Sequence, residues 1–193
     1  MKSIYLILDM QNDLVHADGP NGKSPMGEQV RARLILENTA AALKKARDAG
    51  IAVGFVRVGF AEGYPECPKN SPVFSGAPKA GMFQLGKFGT EIHPSLEQRT
   101  GDVQVTKHRV SPFYSTTLMA QLSAQGIERI YCSGVSTQAV VQATVRDGHD
   151  RDFEMVVLED CCAAHSEQEH ANSMGSLARF CKVTTGAAVD FNA

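Results

Sequence analysis

The sequence predicts an α/β fold built around a mainly parallel sheet, and two observations carry that prediction. Short β-rich apolar runs alternate with longer stretches of helical periodicity, the pattern of consecutive β-α-β units. The chain also has 193 residues, 43% of them hydrophobic, and ordinary charge content, which fits one compact domain with a sizeable core over residues 1–193.

Strands are expected at residues 3–9, 51–58, 103–106, 129–133, 154–158 and 182–184, where apolar and β-branched residues cluster. The clearest helix is expected over residues 29–49, with Leu34, Ile35, Ala41, Ala42 and Leu43 recurring near the helical period and Gly50 as its stop. Further helices are expected at 115–125, ended by Gly126, at 137–150, and at 166–180, whose opening SEQE has the form of a capping box. Residues 59–94 hold Pro65, Pro68, Pro72, Pro78 and Pro94 and many glycines, so they read as a long loop of the kind that serves as a lid or a subunit contact. Phe60, Tyr64, Phe83 and Phe88 are its candidates to line such a lid or to meet a neighbouring subunit.

A net charge of −2 with no basic block argues against nucleic acid or an anionic membrane as the main partner and leaves a small-molecule ligand open. The apolar run of MKSIYLILDMQNDLV breaks at Asp9, too early for a signal peptide or membrane span, so a cytoplasmic location is expected. Cys67, Cys132, Cys161, Cys162 and Cys181 show no CxxC spacing, which indicates reduced thiols rather than a disulfide framework or zinc knuckle. Buried apolar packing is the ordinary fate of each.

The GKS triplet at residues 22–24 lacks both the upstream glycine and the preceding strand of a phosphate-binding loop, and no GxGxxG occurs, so no nucleotide cofactor is expected. The six histidines form no HExxH or DxHxxxH grouping and no metal is expected; His165 and His170, around a helix start, read as surface or capping residues. Asp9 closes an apolar strand at its C-terminal end, the edge where open parallel sheets hold their ligands. A carboxylate there is partly desolvated, which raises its pKa and suits proton transfer, although a turn-capping aspartate would occupy the same place. Lys107 follows Val103 and Val105 in the same way, so one edge would carry an acid and an ammonium as a catalytic or purely structural pair.

Asp9 in LILDMQNDLV, Lys107 in VTKHRVSPFYSTTL, the turn SGVSTQAVVQATVRD and the following VVLEDCCAA stand in the order and spacing of the isochorismatase-like hydrolase superfamily, which the sequence resembles over nearly its whole length. The resemblance implies a three-layer α/β/α domain with a six-stranded sheet in the order 3-2-1-4-5-6, an active site at the C-terminal strand edge, and assembly as a homodimer or homotetramer. Most members resembled are cysteine hydrolases with an Asp–Lys–Cys triad, whose turn reads approximately G-V-x-T-x-x-C-V. Gly134, Val135, Ser136 and Thr137 match, and the nucleophile position falls on Val140. Valine has no lone pair with which to attack a carbonyl, so covalent catalysis by that residue is excluded.

The isochorismatases proper also lack the cysteine and cleave a vinyl ether with the aspartate as acid. Carried over, Asp9 would protonate the enol-ether carbon, Lys107 would hold the developing charge or a substrate carboxylate, and water would complete hydrolysis. The resemblance further makes Gln11, Phe113, Val135, Ser136 and Thr137 substrate-binding candidates and implies a cis peptide before Ser136. A core role for Phe113 is the equal alternative, and Tyr114 and Ser115 are candidates by adjacency alone. Two other readings stay open: a small-molecule-binding pseudoenzyme, and a hydrolase in which Cys132, Ser136 or Thr137 replaces the missing nucleophile. Of Cys161 and Cys162, one is expected to face the interior and the other the pocket rim.

Overall fold

The structure, a computed structural model, describes residues 1–192. Six parallel strands form one sheet in the order β3-β2-β1-β4-β5-β6, as the resemblance implied: β1 Ser3–Leu8, β2 Ala52–Val58, β3 Val103–Lys107, β4 Arg129–Val135, β5 Glu154–Ala163 and β6 Lys182–Thr184. The helices are α1 Asn12–Val15, α2 Pro25–Ala32, α3 Ile35–Asp48, α4 Ala77–Ala80, α5 Leu118–Gln125, α6 Gln142–His149 and α7 Glu167–Leu177. Among the described residues no helix is long and apolar enough to cross a membrane.

β1 is the sheet's centre and every one of its residues is buried. Its alternation divides the interior in two, as a strand covered on both faces must. Tyr5 and Ile7 join a cluster with Ile35, Ala42, Leu43 and Ala46 of α3, whereas Ile4, Leu6 and Leu8 join a second with Leu118 and Leu122 of α5, Val145 of α6 and Leu177 of α7. Each fully buried large aliphatic contributes about 1.5–3 kcal/mol, so the two layers hold the sheet edge rigid beneath the site.

The boundaries depart from expectation where tertiary partners intervene. The helix expected at 29–49 is two, broken at Arg33 and at Leu34, which takes a left-handed conformation (φ 53°). The break follows from Arg33, whose guanidinium is drawn to β5 by the carbonyls of Cys162 (3.1 Å) and Glu159 (3.2 Å), while Asn38 holds the Arg33 carbonyl at 3.0 Å. α5 begins at Leu118 rather than at 115, because Ser115 has positive φ. The helix expected at 137–150 starts as one wide turn, Thr137–Val141, before α6, and β5 runs five residues beyond its expected end. At α7 the Ser166 side chain accepts from Glu169 N (3.2 Å), the first half of the capping box.

The 59–94 segment is not structureless. Phe60, Phe74, Ala77 and Phe83 pack into a third small core, and the QND run that follows β1 fastens the segment's far end. Asn12 Nδ2 donates to Phe88 O (3.0 Å), Asn12 N to Glu91 O (2.9 Å), and the Asp13 carboxylate accepts from Phe83 N (2.6 Å). A Cβ on Gly89 would run into that carboxylate, so a larger residue there would have to displace Asp13 from Phe83 N. Of the expected lid aromatics, Phe60 and Phe83 are therefore buried in this small core, Tyr64 packs beside it, and Phe88 stands exposed.

Candidate active site

Asp9 is the first residue beyond β1, and its backbone is left-handed (φ 57°) while its N–H still bonds Val56 O (2.9 Å). Lys107 is the last residue of β3, two strands away across β2. Their side chains converge over the edge: Lys107 Nζ lies 2.9 Å from Asp9 Oδ2, with the two side chains 1% and 5% exposed. The ammonium also donates to Arg109 O (3.1 Å), which uses two of its three hydrogens. Asp9 Oδ1, equally buried, has no hydrogen-bond partner among the described residues. Burial pushes the Asp9 carboxyl above the ordinary aspartate range, and the charge and hydrogen bond of Lys107 offset that only in part.

β4 runs beside β1 with Gly134 opposite Leu8, so the turn that ends β4 stands next to Asp9. The approach is close enough that a Cβ on Gly134 would collide with Leu8 O, which makes glycine obligatory there. The Val135–Ser136 peptide is cis. Ser136 O then accepts from Ala139 N (3.2 Å) and Val141 N (3.3 Å), closing the wide turn on which Thr137 and Val140 sit. Val140, at the position the resemblance assigns to the nucleophile, is buried in the apolar cluster with Leu6, Leu8 and Phe113.

The remaining sequence candidates separate by environment. Gln11 is wholly committed to backbone: Nε2 donates to Val58 O (3.0 Å) and Gly89 O (3.4 Å), and Oε1 accepts from Val58 N (2.8 Å). It ties the end of β2 to the 59–94 segment. Phe113 is buried in the core, stacked on Phe153 at 6.1 Å with the Arg151 guanidinium 5.3 Å from its ring centre. Val135 is buried in the opposite cluster, Ser136 is half-exposed, and Thr137 is fully buried. Tyr114 is exposed and Ser115 is not buried. Cys132 lies in the second cluster, and the expectation that one of Cys161 and Cys162 faces a pocket rim is wrong: both are fully buried, on opposite faces of β5. Burial pushes all three thiols far up, so none is a ready nucleophile.

His170 corrects a second expectation. It is not a surface residue but is buried against the turn, with Nδ1 3.0 Å from Thr137 Oγ1 and Nε2 3.2 Å from Glu159 Oε2. His165, by contrast, is exposed as expected. Sequence reasoning did not connect Glu159, His170 and Arg33 with the site, because they come from β5, α7 and the α2–α3 break. Among the described residues no three His, Cys, Asp or Glu side chains are gathered as metal ligands would be.

The sequence model of the isochorismatase domain matches residues 3–188. An isochorismatase family protein of Escherichia coli, YecD, is 29% identical over 89% of this chain and 85% of its own length. The ureidoacrylate amidohydrolase RutB of Variovorax paradoxus is 30% identical over 82% of this chain and 67% of its own. The crystal structure of an isochorismatase family protein from Desulfovibrio vulgaris superposes with a TM-score of 0.84 at 24% identity, covering 97% of this chain and 95% of that one.

Proposed function

The chain belongs to the isochorismatase family, and from that premise we propose that it is a small-molecule hydrolase that works without a cysteine nucleophile, through Asp9 and Lys107. The observation that carries the reading is the half-paired aspartate: one buried oxygen on Lys107 at 2.9 Å, the other without a partner among the described residues. A group arranged in this way holds a proton into a higher pH range than a solvated aspartate, because desolvation penalises its anion more than Lys107 relieves it. Its free oxygen is the place from which that proton leaves.

In the proposed reaction Asp9 protonates the carbon of an enol ether, or the leaving atom of a comparably activated bond. Lys107 stabilises the negative charge of a substrate carboxylate or that left on Asp9. Water adds to the resulting cation and no covalent enzyme intermediate forms, in keeping with Val140 where a nucleophile would stand. General-acid catalysis supplies about 10²–10⁴-fold and the charges fixed in a water-poor edge supply the rest. On this reading Ser136 and Thr137 carry the wall opposite Asp9, with Val135 packed behind the turn, Gln11 holding the end of β2 and Phe113 packed in the same cluster as Val140. We also propose that the chain assembles as a homodimer or homotetramer, as the resemblance implies. A size-exclusion mass of one chain would exclude that assembly.

The test is a screen of vinyl ethers, amides and ureides followed by Asp9→Ala and Lys107→Ala. Loss of turnover in both variants supports the reading, and undiminished turnover in both removes it. Saturable binding with no product across the screen would instead make the chain a binding homologue. A covalent adduct mapped by mass spectrometry to Ser136 or Thr137 would replace acid catalysis with a nucleophilic route.

A further inference from the structure

We propose that Arg33, Glu159 and the buried His170 form a relay that holds the Thr137 hydroxyl, and with it the turn facing Asp9, so that His170 is a positioning residue for the reaction at Asp9 and Lys107. The inference rests on the reading of that pair as the reacting centre.

The geometry runs inward from the surface. Arg33, at the break between α2 and α3, places Nη1 2.9 and 3.0 Å from the two carboxylate oxygens of Glu167, while Nη2 lies 3.2 Å from Glu159 O, 3.2 Å from Glu159 Oε2 and 2.9 Å from His170 Nε2. Glu159 Oε2 is 3.2 Å from the same Nε2, and His170 Nδ1 is 3.0 Å from Thr137 Oγ1. With a neutral ring, counting donors leaves two arrangements, of which the relay takes the first. The two hydrogens of Nη2 are satisfied by the Glu159 carbonyl and carboxylate, the Nε2 hydrogen then goes to Glu159 Oε2, and Nδ1 is left with a lone pair for the Thr137 hydroxyl. In the mirror arrangement Arg33 donates to Nε2 and Nδ1–H to Thr137, which leaves Glu159 Oε2 facing a lone pair at 3.2 Å, whereas the first leaves Nη2 and Nε2 facing each other at 2.9 Å. The first keeps Glu159 on the imidazole as well as on the guanidinium.

The ring must be neutral in either arrangement. Burial lowers the His170 pKa below its ordinary value and Arg33 opposes its charging, against the attraction of Glu159 and Glu167. In the arrangement drawn, protonation would turn Nδ1 from acceptor to donor, reversing its bond to the Thr137 hydroxyl, and place a second cation against Arg33. Thr137 is the residue after Ser136, on a turn whose strand pairs Gly134 with Leu8, the residue before Asp9. A turn that shifts there shifts the wall of the proposed site, and misplacement of about 1 Å costs about 100-fold in rate.

Two pairs of variants separate positioning from folding. Thr137→Val and His170→Leu remove the contact, whereas Thr137→Ser and His170→Asn keep a hydroxyl and an acceptor near Nδ1. On a substrate found by the screen, the first pair should lose about 10- to 100-fold in kcat with KM within about twofold. The second pair should recover most of it, and His170→Asn should erase the acid limb of the pH profile. Wild-type kcat in soluble Thr137→Val, or an acid limb that persists in His170→Asn, would overturn the proposal. The ¹⁵N shifts of His170 in the wild-type protein give an answer that needs neither variants nor turnover: a hydrogen on Nε2 and a bare Nδ1 is expected, and a hydrogen on Nδ1 refutes the relay as drawn. Turnover that survives Asp9→Ala while His170 shows the expected tautomer would locate the error in the reacting pair instead.

Discussion

Asp9 and Asp102 are both buried aspartates paired with a cation, yet they are shifted in opposite directions. Asp102 has both oxygens satisfied: Arg47 grips it bidentately at 2.9 and 2.8 Å, and Arg99 N donates to Oδ2 at 2.7 Å. Its burial raises the pKa, but the Arg47 hydrogen bonds, the backbone donor and the two guanidinium charges outweigh burial, and the group stays below the usual range. Asp9 has a single cation on a single oxygen, and burial prevails. On the proposed reading, that difference separates a structural ion pair from a reactive one in this molecule. Asp102 spends its lone pairs on the α3 anchor, whereas Asp9 keeps one buried and available, at an electrostatic cost that the fold offsets elsewhere.

The largest expected effect falls on the Asp9 side of the comparison. Asp9→Asn and Lys107→Ala should each lower kcat by about 10²–10⁴-fold, since one removes the proton and the other the charge that stabilises its loss. Asp102→Asn should leave kcat unchanged in the same assay. If instead Asp102→Asn removed activity while the fold was kept, the division between structural and reactive pairs would fail.

The next effect falls on the Asp102 side and on stability. Breaking a buried pair strands the partner charge, at about 3 kcal/mol, so Asp102→Asn should lower Tm by roughly 6–12 °C for a chain of this size. The sign with pH is fixed by the direction of the shift. Because the folded pKa of Asp102 is depressed, its stabilisation is present above the unfolded value of about 3.9 and is lost as pH falls through the folded one. The stability gap between wild type and Asp102→Asn, read by urea titration, should therefore narrow below about pH 4. Asp9 runs the other way. Its raised pKa gives a contribution present below the unfolded value and lost as pH rises through the folded one. A gap that widened in acid would reverse the assignment for Asp102.

The Asp9–Lys107 pair was legible in the sequence because each residue ends an apolar strand, and strand ends in a parallel sheet share one edge by construction. The strand order was legible only through ordered motifs. The His170 relay was not, because its parts meet by tertiary packing. Arg33 breaks what reads locally as one continuous helix, and the favourable periodicity of residues 29–49 is overridden by three carbonyl and carboxylate contacts to β5. Gln11 shows the opposite case. It is a pocket candidate through the resemblance, yet its amide is consumed by Val58 and Gly89, while Asn12 Nδ2 and the Asp13 carboxylate bond the 83–91 stretch. A polar residue beside a strand end gives no local sign of whether its partner will be ligand or backbone.

Val140→Cys gives the smallest change and the sharpest use of the contrast between the two aspartates. Valine and cysteine differ by about one methyl group, so the loss of buried apolar surface should cost about 1 kcal/mol and leave the turn in place. On the proposed reading the new thiol stands beside Asp9, which once ionised accepts its proton through the free oxygen, while the Lys107 charge, 2.9 Å from the other oxygen, favours the thiolate. The native Cys132, Cys161 and Cys162 provide the baseline, since burial holds their thiols up and out of reaction. Iodoacetamide at neutral pH should therefore alkylate position 140 well before those three, and peptide mass mapping identifies the site. Adding Asp9→Asn to Val140→Cys should return the labelling to the baseline, because the amide can no longer take the proton. Adding Asp102→Asn should leave it fast, since that carboxylate has no oxygen to give. Equal labelling in the two double variants would mean that the unpartnered oxygen of Asp9 confers no reactivity on the turn.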